Sequence, residues 1–427
     1  MKKYLSLLIL PLIFSCGNKS NFQQILIQTS GSNLIQTTTN QYVFPFNTYM
    51  SLKYYKDTNE NKITDFDKNI SNLFTDTVIE LHKKLDRHYY YYKDDGTNII
   101  TNVKTINDSY ATGEEIICSN ELYDLIKLGY QMTLDTNGKF NFFAGALTSY
   151  WDNILQICST EPTAIAELDP IYSSTVREEI KLLQESIPTV EEIQNLITFN
   201  DGNKSIIFNA LEDKENLDRD RLDSKYRPYI TSGGISKGFA TDILKNILLE
   251  NNYTRGYLNS GSSTITSLSD KLFEVSPYQT ISITDPRYQS IFGNEVIAKI
   301  KLDKDYSLST SGTNTYEKSY FVTDPSTGKL VKRHHIINPE TGEPSLYHAG
   351  VTIISNTFTN GELDALSTAI INMSTDETIG FYNSLNELYP NHDLSIILVD
   401  TNENDELKYT ILGDIKNNIT IINGEIN

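Results

Sequence analysis

Four short stretches of this chain hold residues whose types and spacing could do chemistry. Residues 229–244, "YITSGGISKGFATDIL", run two glycines, Lys237 and a third glycine into an apolar segment that reads as a helix. Backbone N–H groups at a helix N-terminus attract anions, and a lysine there adds positive charge. The GxxxxGK[ST] and GxGxxG phosphate loops are both absent, and a plain glycine turn with a solvated lysine fits the same letters. In "GELDALSTAI", Asp364 and Thr368 stand four apart, hence on one face of a helix. A carboxylate and a hydroxyl so placed could share a Mg²⁺ with substrate phosphates, or be an acid near a helix start plus a threonine bonded to the carbonyl four residues back. "KRHHIINPETGEP" sets His335, one of six histidines, before an apolar pair and a turn; it could be a general base, a phosphate donor or a structural histidine. "SLSTSGTN", with Ser311, offers small hydroxyls to a polar ligand. No Ser-His-Asp order, HExxH or Cys/His metal spacing appears.

The elements that must position these residues are mixed. "YVFPFNTYMSLKYYK" alternates like a strand. "DFDKNISNLFTDTVIELHKKLDR" gathers Ile70, Leu73, Val78, Leu81 and Leu85 on one helical side. "SNELYDLIKLGYQMTLDTNG" reads as a second helix, residues 160–195 as charged helical segments with a boundary at Pro188-Thr189, and "DGNKSIIFNA" as a hairpin turn entering a strand. Short Val, Ile and Thr-rich strands follow residue 256, then the "GELDALSTAIINMS" helix and the closing strands "LSIILVD" and "YTILG". Helices mixed with antiparallel-looking strands predict an α+β fold.

Composition bounds the function. A net charge of −19 over 427 residues excludes a nucleic-acid partner, which would need a basic face. Lys2 and Lys3 precede a short apolar run ending in "IFSC", the layout of a secretory signal over residues 1–15 with Cys16 placed like the lipidated cysteine of a bacterial lipobox. Residues 16–40, rich in Gln, Asn, Ser and Thr, then read as a flexible tether, with one domain over 41–427. The protein is thus expected to be lipid-anchored on the outer face of a bacterial membrane. Cys118 and Cys158 are assigned structural roles; their spacing does not fix the distance between them, so pairing stays open.

In order and spacing, "TSGGISKGFATD", "STSG", "HIINPETGEP" and "DALSTA" resemble the ApbE-type FAD:protein FMN transferases, whose pattern runs "DLGGIAKGYAxD", "ATSG", "HIIDPxTGxP", "DALATA". "GKFNFFAGALTSYW" is similar to the family's "GxFDPTVGPLVxLW", and the likeness spans roughly residues 43 to 400. It implies two lobes of mostly antiparallel sheet with flanking helices and an FAD cleft between them. It implies Mg²⁺ held by Gly234, Asp364 and Thr368, and His335 as general base. FAD would be contacted by Phe46, Tyr92, Phe140, Asn141, Phe142, Thr231, Lys237, Ser311 and His335. The implied reaction transfers FMN from FAD to a Thr or Ser hydroxyl of an exported flavoprotein, releasing AMP. FAD hydrolysis to FMN and AMP, and a surface flavin holder without turnover, are the alternatives. Several family acids are neutral here: Thr231, Asn141 and Asn338 stand where the pattern has aspartates, and Phe46-Asn47 replaces the pair opening "MGT".

Overall fold

The computed structural model describes residues 21–60, 64–212, 225–287, 295–313, 318–402 and 404–427. Its centre is a nine-stranded sheet whose spatial order follows the chain: β1 (Phe22–Gln28), β2 (Met50–Asp57), β3 (Gly256–Ser260), β4 (Thr264–Ser267), β5 (Ser307–Gly312), β6 (Gly350–Ser355), β7 (Ser395–Thr401), β8 (Leu407–Leu412) and β9 (Glu425–Ile426). All neighbours pair antiparallel except β8 and β9.

Side chains alternate across a strand, and here both faces are covered. Leu52, Tyr54 and Leu258 join one helical core, and Val351, Ile353, Ile396 and Leu398 join another. Tyr55, Tyr257, Ile354, Ile397 and Val399 point the other way, into a core shared with a three-stranded sheet of Gln279–Thr284, Val296–Leu302 and Ile419–Ile421. Double-sided burial explains why "IILV", residues 396–399, is apolar without a break.

The helices come largely from insertions between strands. Between β2 and β3 lie α1 (Phe66–Leu85), α2 (Asn120–Asp135), α3 (Gly145–Thr160), α4 (Ser174–Glu185) and α5 (Ser236–Glu250); α6 (Asn360–Ile370) links β6 to β7. Ser119, Ser173 and Thr359 cap the starts of α2, α4 and α6 through their hydroxyls. The α+β expectation, with antiparallel sheets and flanking helices, describes this architecture.

The tether expectation needs correcting. Residues 22–28 are the edge strand of the main sheet, paired along their whole length with β2. "FQQILIQ" is polar, but Ile25 packs on the helical core and Ile27 lies within it, and that alternation is enough to hold an edge strand. The signal segment and Cys16 lie outside the described residues. Cys118 and Cys158 are both buried free thiols. Among the described residues no helix is long and apolar enough to cross a membrane.

Candidate active site

The main sheet changes character beneath α6. On β4 and β5 the positions facing the helices are hydroxyls rather than aliphatics, while the opposite-facing Ile265 and Leu308 keep the apolar pattern. Thr264 and Ser309 sit directly across from each other in the register, and both donate to Asp364 Oδ1 at 2.7 Å. The Gly238 amide donates to Asp364 Oδ2, also at 2.7 Å. Burial pushes the Asp364 carboxyl up; the charge of Lys237, the two hydroxyls and the Gly238 N–H oppose that and favour the carboxylate.

This arrangement needs α5 and α6 to touch. A Cβ on Gly238 would stand 2.1 Å from the Asn360 carbonyl oxygen, so only glycine permits the crossing. One turn later Asp242 accepts from the amides of Asn360 and Gly361 at 3.0 and 2.9 Å, pinning the start of α6. Thr368 donates to the Asp364 carbonyl at 2.9 Å, which leaves its oxygen lone pairs available. Gly234 lies against it: a Cβ there would be 3.0 Å from Thr368 Oγ1.

The opposite wall is the turn that carries His335. Its neighbour His334 is buried, with Nε2 bonded to the Ser345 carbonyl at 2.7 Å and Nδ1 accepting from the Ile336 amide; burial lowers its pKa to about 4. His335 faces the cleft. Enclosure by the walls, then the charges of His334, Lys237, Lys318 and Lys332, depress its pKa. The ring remains open to cleft solvent, which moderates the effect. A neutral imidazole is what a proton acceptor requires. The turn is anchored from behind. Trp151 Nε1 donates to the Gly342 carbonyl at 2.7 Å, and Arg333 forms a buried ion pair with Asp169 at 3.0 Å.

A third wall is irregular chain. Phe46 and Asn47 both take positive φ, a conformation that costs about 1–2 kcal/mol per L-residue. Lys139, on the loop before Asn141, is held between Glu340 and Glu377, each at 2.8 Å.

One cleft of about 550 Å³ joins these walls. Of the residues expected from sequence, Phe46, Phe140, Asn141, Thr231, Gly234, Lys237, Ser311, His335, Asp364 and Thr368 line it. Two expectations are corrected. Phe142 is fully buried, its ring packed against Gly129 in the core, and Tyr92 is half exposed in a loop away from the cleft. In the run of four tyrosines it is Tyr91 that turns inward, bonding Asp86 and His82. Asn141 lines the cleft but spends its amide on the protein, donating to Pro188 and accepting from the Phe143 amide at 2.9 Å. Asn338 is buried and stabilises its own turn through the Glu340 amide.

Sequence reasoning missed other lining residues. Arg87 and Lys318 converge on Asp152 at 3.4 and 3.3 Å. Asn372 donates to carbonyls of Thr368, Lys139 and Ile337, so it ties α6 to two walls. The sequence signals were the "LDRH" end of α1 and an asparagine inside an otherwise apolar helix end.

The donor set suits a hard cation that keeps oxygen partners of its own. A carboxylate, a hydroxyl with free lone pairs and an adjacent glycine backbone are all oxygen donors, with a single acid among them. No cluster of three His, Cys, Asp or Glu side chains that could hold a metal occurs among the described residues. This set therefore suits Mg²⁺ completed by phosphate and water better than a transition metal.

The ApbE family model matches residues 46–389. The fold is shared with the flavin transferase ApbE from Vibrio cholerae (16% identity, 93% of this chain and 99% of that one, TM-score 0.60). It is shared with the ApbE protein of Thermotoga maritima (21% identity, 88% and 94%, TM-score 0.57). The apo form of Pseudomonas stutzeri flavinyl transferase ApbE is similar too (14% identity, 92% and 95%, TM-score 0.56). No curated protein matches the chain by sequence.

Proposed function

Because the chain belongs to the ApbE family, we propose that it is a flavin transferase that moves FMN from FAD to a Thr or Ser hydroxyl of an exported flavoprotein, releasing AMP. The observation that carries this reading is the convergence of Lys237, Asp364, Thr368, Gly234 and His335 on one cleft from three separate parts of the chain. The acceptor hydroxyl oxygen attacks the phosphorus on the FMN side of the diphosphate. A new P–O bond forms, the P–O bond to the AMP phosphate breaks, and the hydroxyl proton passes to His335. Lys237 places positive charge beside the diphosphate, and the wall residues orient the nucleotide. Gly234, Asp364 and Thr368 would hold Mg²⁺, which supplies charge neutralisation on the diphosphate oxygens when bound. The nucleophile comes from the partner.

We extend the proposal to location: Cys16 is lipidated and holds the domain at the outer face of a bacterial membrane. Labelling with a lipid precursor, in the chain and in Cys16→Ser, tests that part.

The activity is tested by incubating the protein with FAD, Mg²⁺ and Thr- or Ser-containing acceptor proteins while following AMP and covalent flavin. AMP together with covalent flavin supports transfer. AMP with no covalent flavin on any acceptor would replace transfer with hydrolysis. A second reading, a flavin holder without turnover, is favoured by one observation: Asn141 and Thr231 stand where the family pattern has acids, and Asn141 is already engaged with the protein. Bound FAD with no AMP would select it.

A further inference from the structure

The loop closing one side of the cleft bends at two consecutive residues that are not glycine, Phe46 at φ 52° and Asn47 at φ 51°. Asparagine visits this region readily; a bulky aromatic does so only when its surroundings over-determine it. The determinant here is a side chain distant in sequence. The Phe46 amide donates to His82 Nδ1 at 3.1 Å, and the two rings meet edge to face with centroids 5.4 Å apart.

His82 is itself fixed by a directional chain. A backbone N–H can only donate, so Nδ1 must carry the lone pair. Tyr91 gives its hydroxyl proton to the Asp86 carboxylate, so His82 Nε2–H must donate to the Tyr91 oxygen at 3.0 Å. Asp86 is held in turn by the His88 amide at 2.8 Å. One tautomer of His82 satisfies every link. His82, Asp86, Phe46 and Asn47 all line the cleft.

We infer that His82 is a positioning residue for the flavin nucleotide: its Nδ1 holds Phe46 in the left-handed conformation and so keeps that wall of the cleft shaped for FAD. This rests on the FAD reading given above. Two substitutions separate this role from mere space filling. In His82→Asn the amide oxygen reaches the position of Nδ1, keeping the bond to the Phe46 amide and losing Tyr91. In His82→Gln the longer amide reaches the position of Nε2, keeping Tyr91 and losing Phe46.

The experiment is FAD binding by flavin fluorescence, with a thermal melt of each variant to establish folding. Loss of one buried hydrogen bond predicts a Kd about tenfold weaker in His82→Gln. His82→Asn should stay within about threefold of the parent, even where the two melts are equally lowered. Equal Kd values for both variants, whether weakened or unchanged, would overturn the inference. A parent protein that binds no FAD would overturn the proposed function first, and this inference with it; that result is seen before any variant is made.

Discussion

The two sides of the cleft are built by different means. The Asp364 side is regular structure. Two helices cross at a glycine, a helix start is pinned by Asp242, and a pair of cross-strand hydroxyls sits at fixed register beneath. The facing side is loop and turn. Phe46-Asn47, Lys139–Asn141 and the His335 turn are held by side-chain contacts distant in sequence, such as Trp151 to Gly342, Arg333 to Asp169 or Lys139 to its two glutamates. The lesson is a division of labour. The groups that would meet a metal and a diphosphate are placed by backbone geometry, which tolerates little variation. The groups that would meet the rest of the nucleotide are placed by side-chain struts, and there the chain departs from the family pattern at Asn141 and Phe46-Asn47.

The comparison can be broken from either side. The largest effect is expected at the strut behind the His335 turn: Asp169→Ala leaves the buried Arg333 with only the part-exposed Glu343 and takes away the acceptor of the Tyr320 hydroxyl, and chemical denaturation should show a loss of about 3–5 kcal/mol. A loss under about 1 kcal/mol would mean the turn does not depend on that pair. Next is Gly238→Ala on the regular side. Its Cβ would force the helices apart, with an expected loss of about 3 kcal/mol and a weaker response of FAD binding to Mg²⁺. Unchanged stability there would show that the crossing can relax.

The smallest effect is on pH. His334 is neutral when folded, with a pKa lowered to about 4 from 6.5. Burial also lowers His82, opposed by Asp86. The unfolded chain therefore takes up protons first as pH falls. Stability is fully present above about pH 6.5 and declines by roughly 1 kcal/mol per pH unit toward pH 4. Denaturation midpoints across that window check this, and a flat profile would remove His334 as a buried neutral strut.

How much of this was legible in the sequence follows the same division. Helix period puts Asp364 and Thr368 on one face, but spacing alone left that pair, Gly234 and Lys237 with ordinary structural readings; it was the resemblance of the ordered motifs to the ApbE pattern that implied their roles. The struts were invisible. Nothing local to Trp151, Arg333 or Lys139 says which distant turn each will hold. In "KRHH" the sequence cannot tell that His334 turns inward and His335 outward. In "HYYYY" it cannot tell that Tyr91 rather than Tyr92 turns in. Ser309 was one of a run of small hydroxyls, and nothing singled out Thr264, until strand register set the two opposite each other beneath Asp364. The edge strand at Phe22–Gln28 was lost in a polar composition that hid its two inward isoleucines.

The central claim for the cleft is that the Asp364 side holds a metal that in turn holds FAD. The most direct test is FAD affinity measured with and without Mg²⁺, in the parent protein and in Asp364→Asn, which keeps the shape and removes the charge. Mg²⁺ is expected to tighten FAD binding at least about tenfold in the parent and to leave Asp364→Asn unchanged. Equal tightening in both proteins, or none in the parent, would contradict a metal held by Asp364.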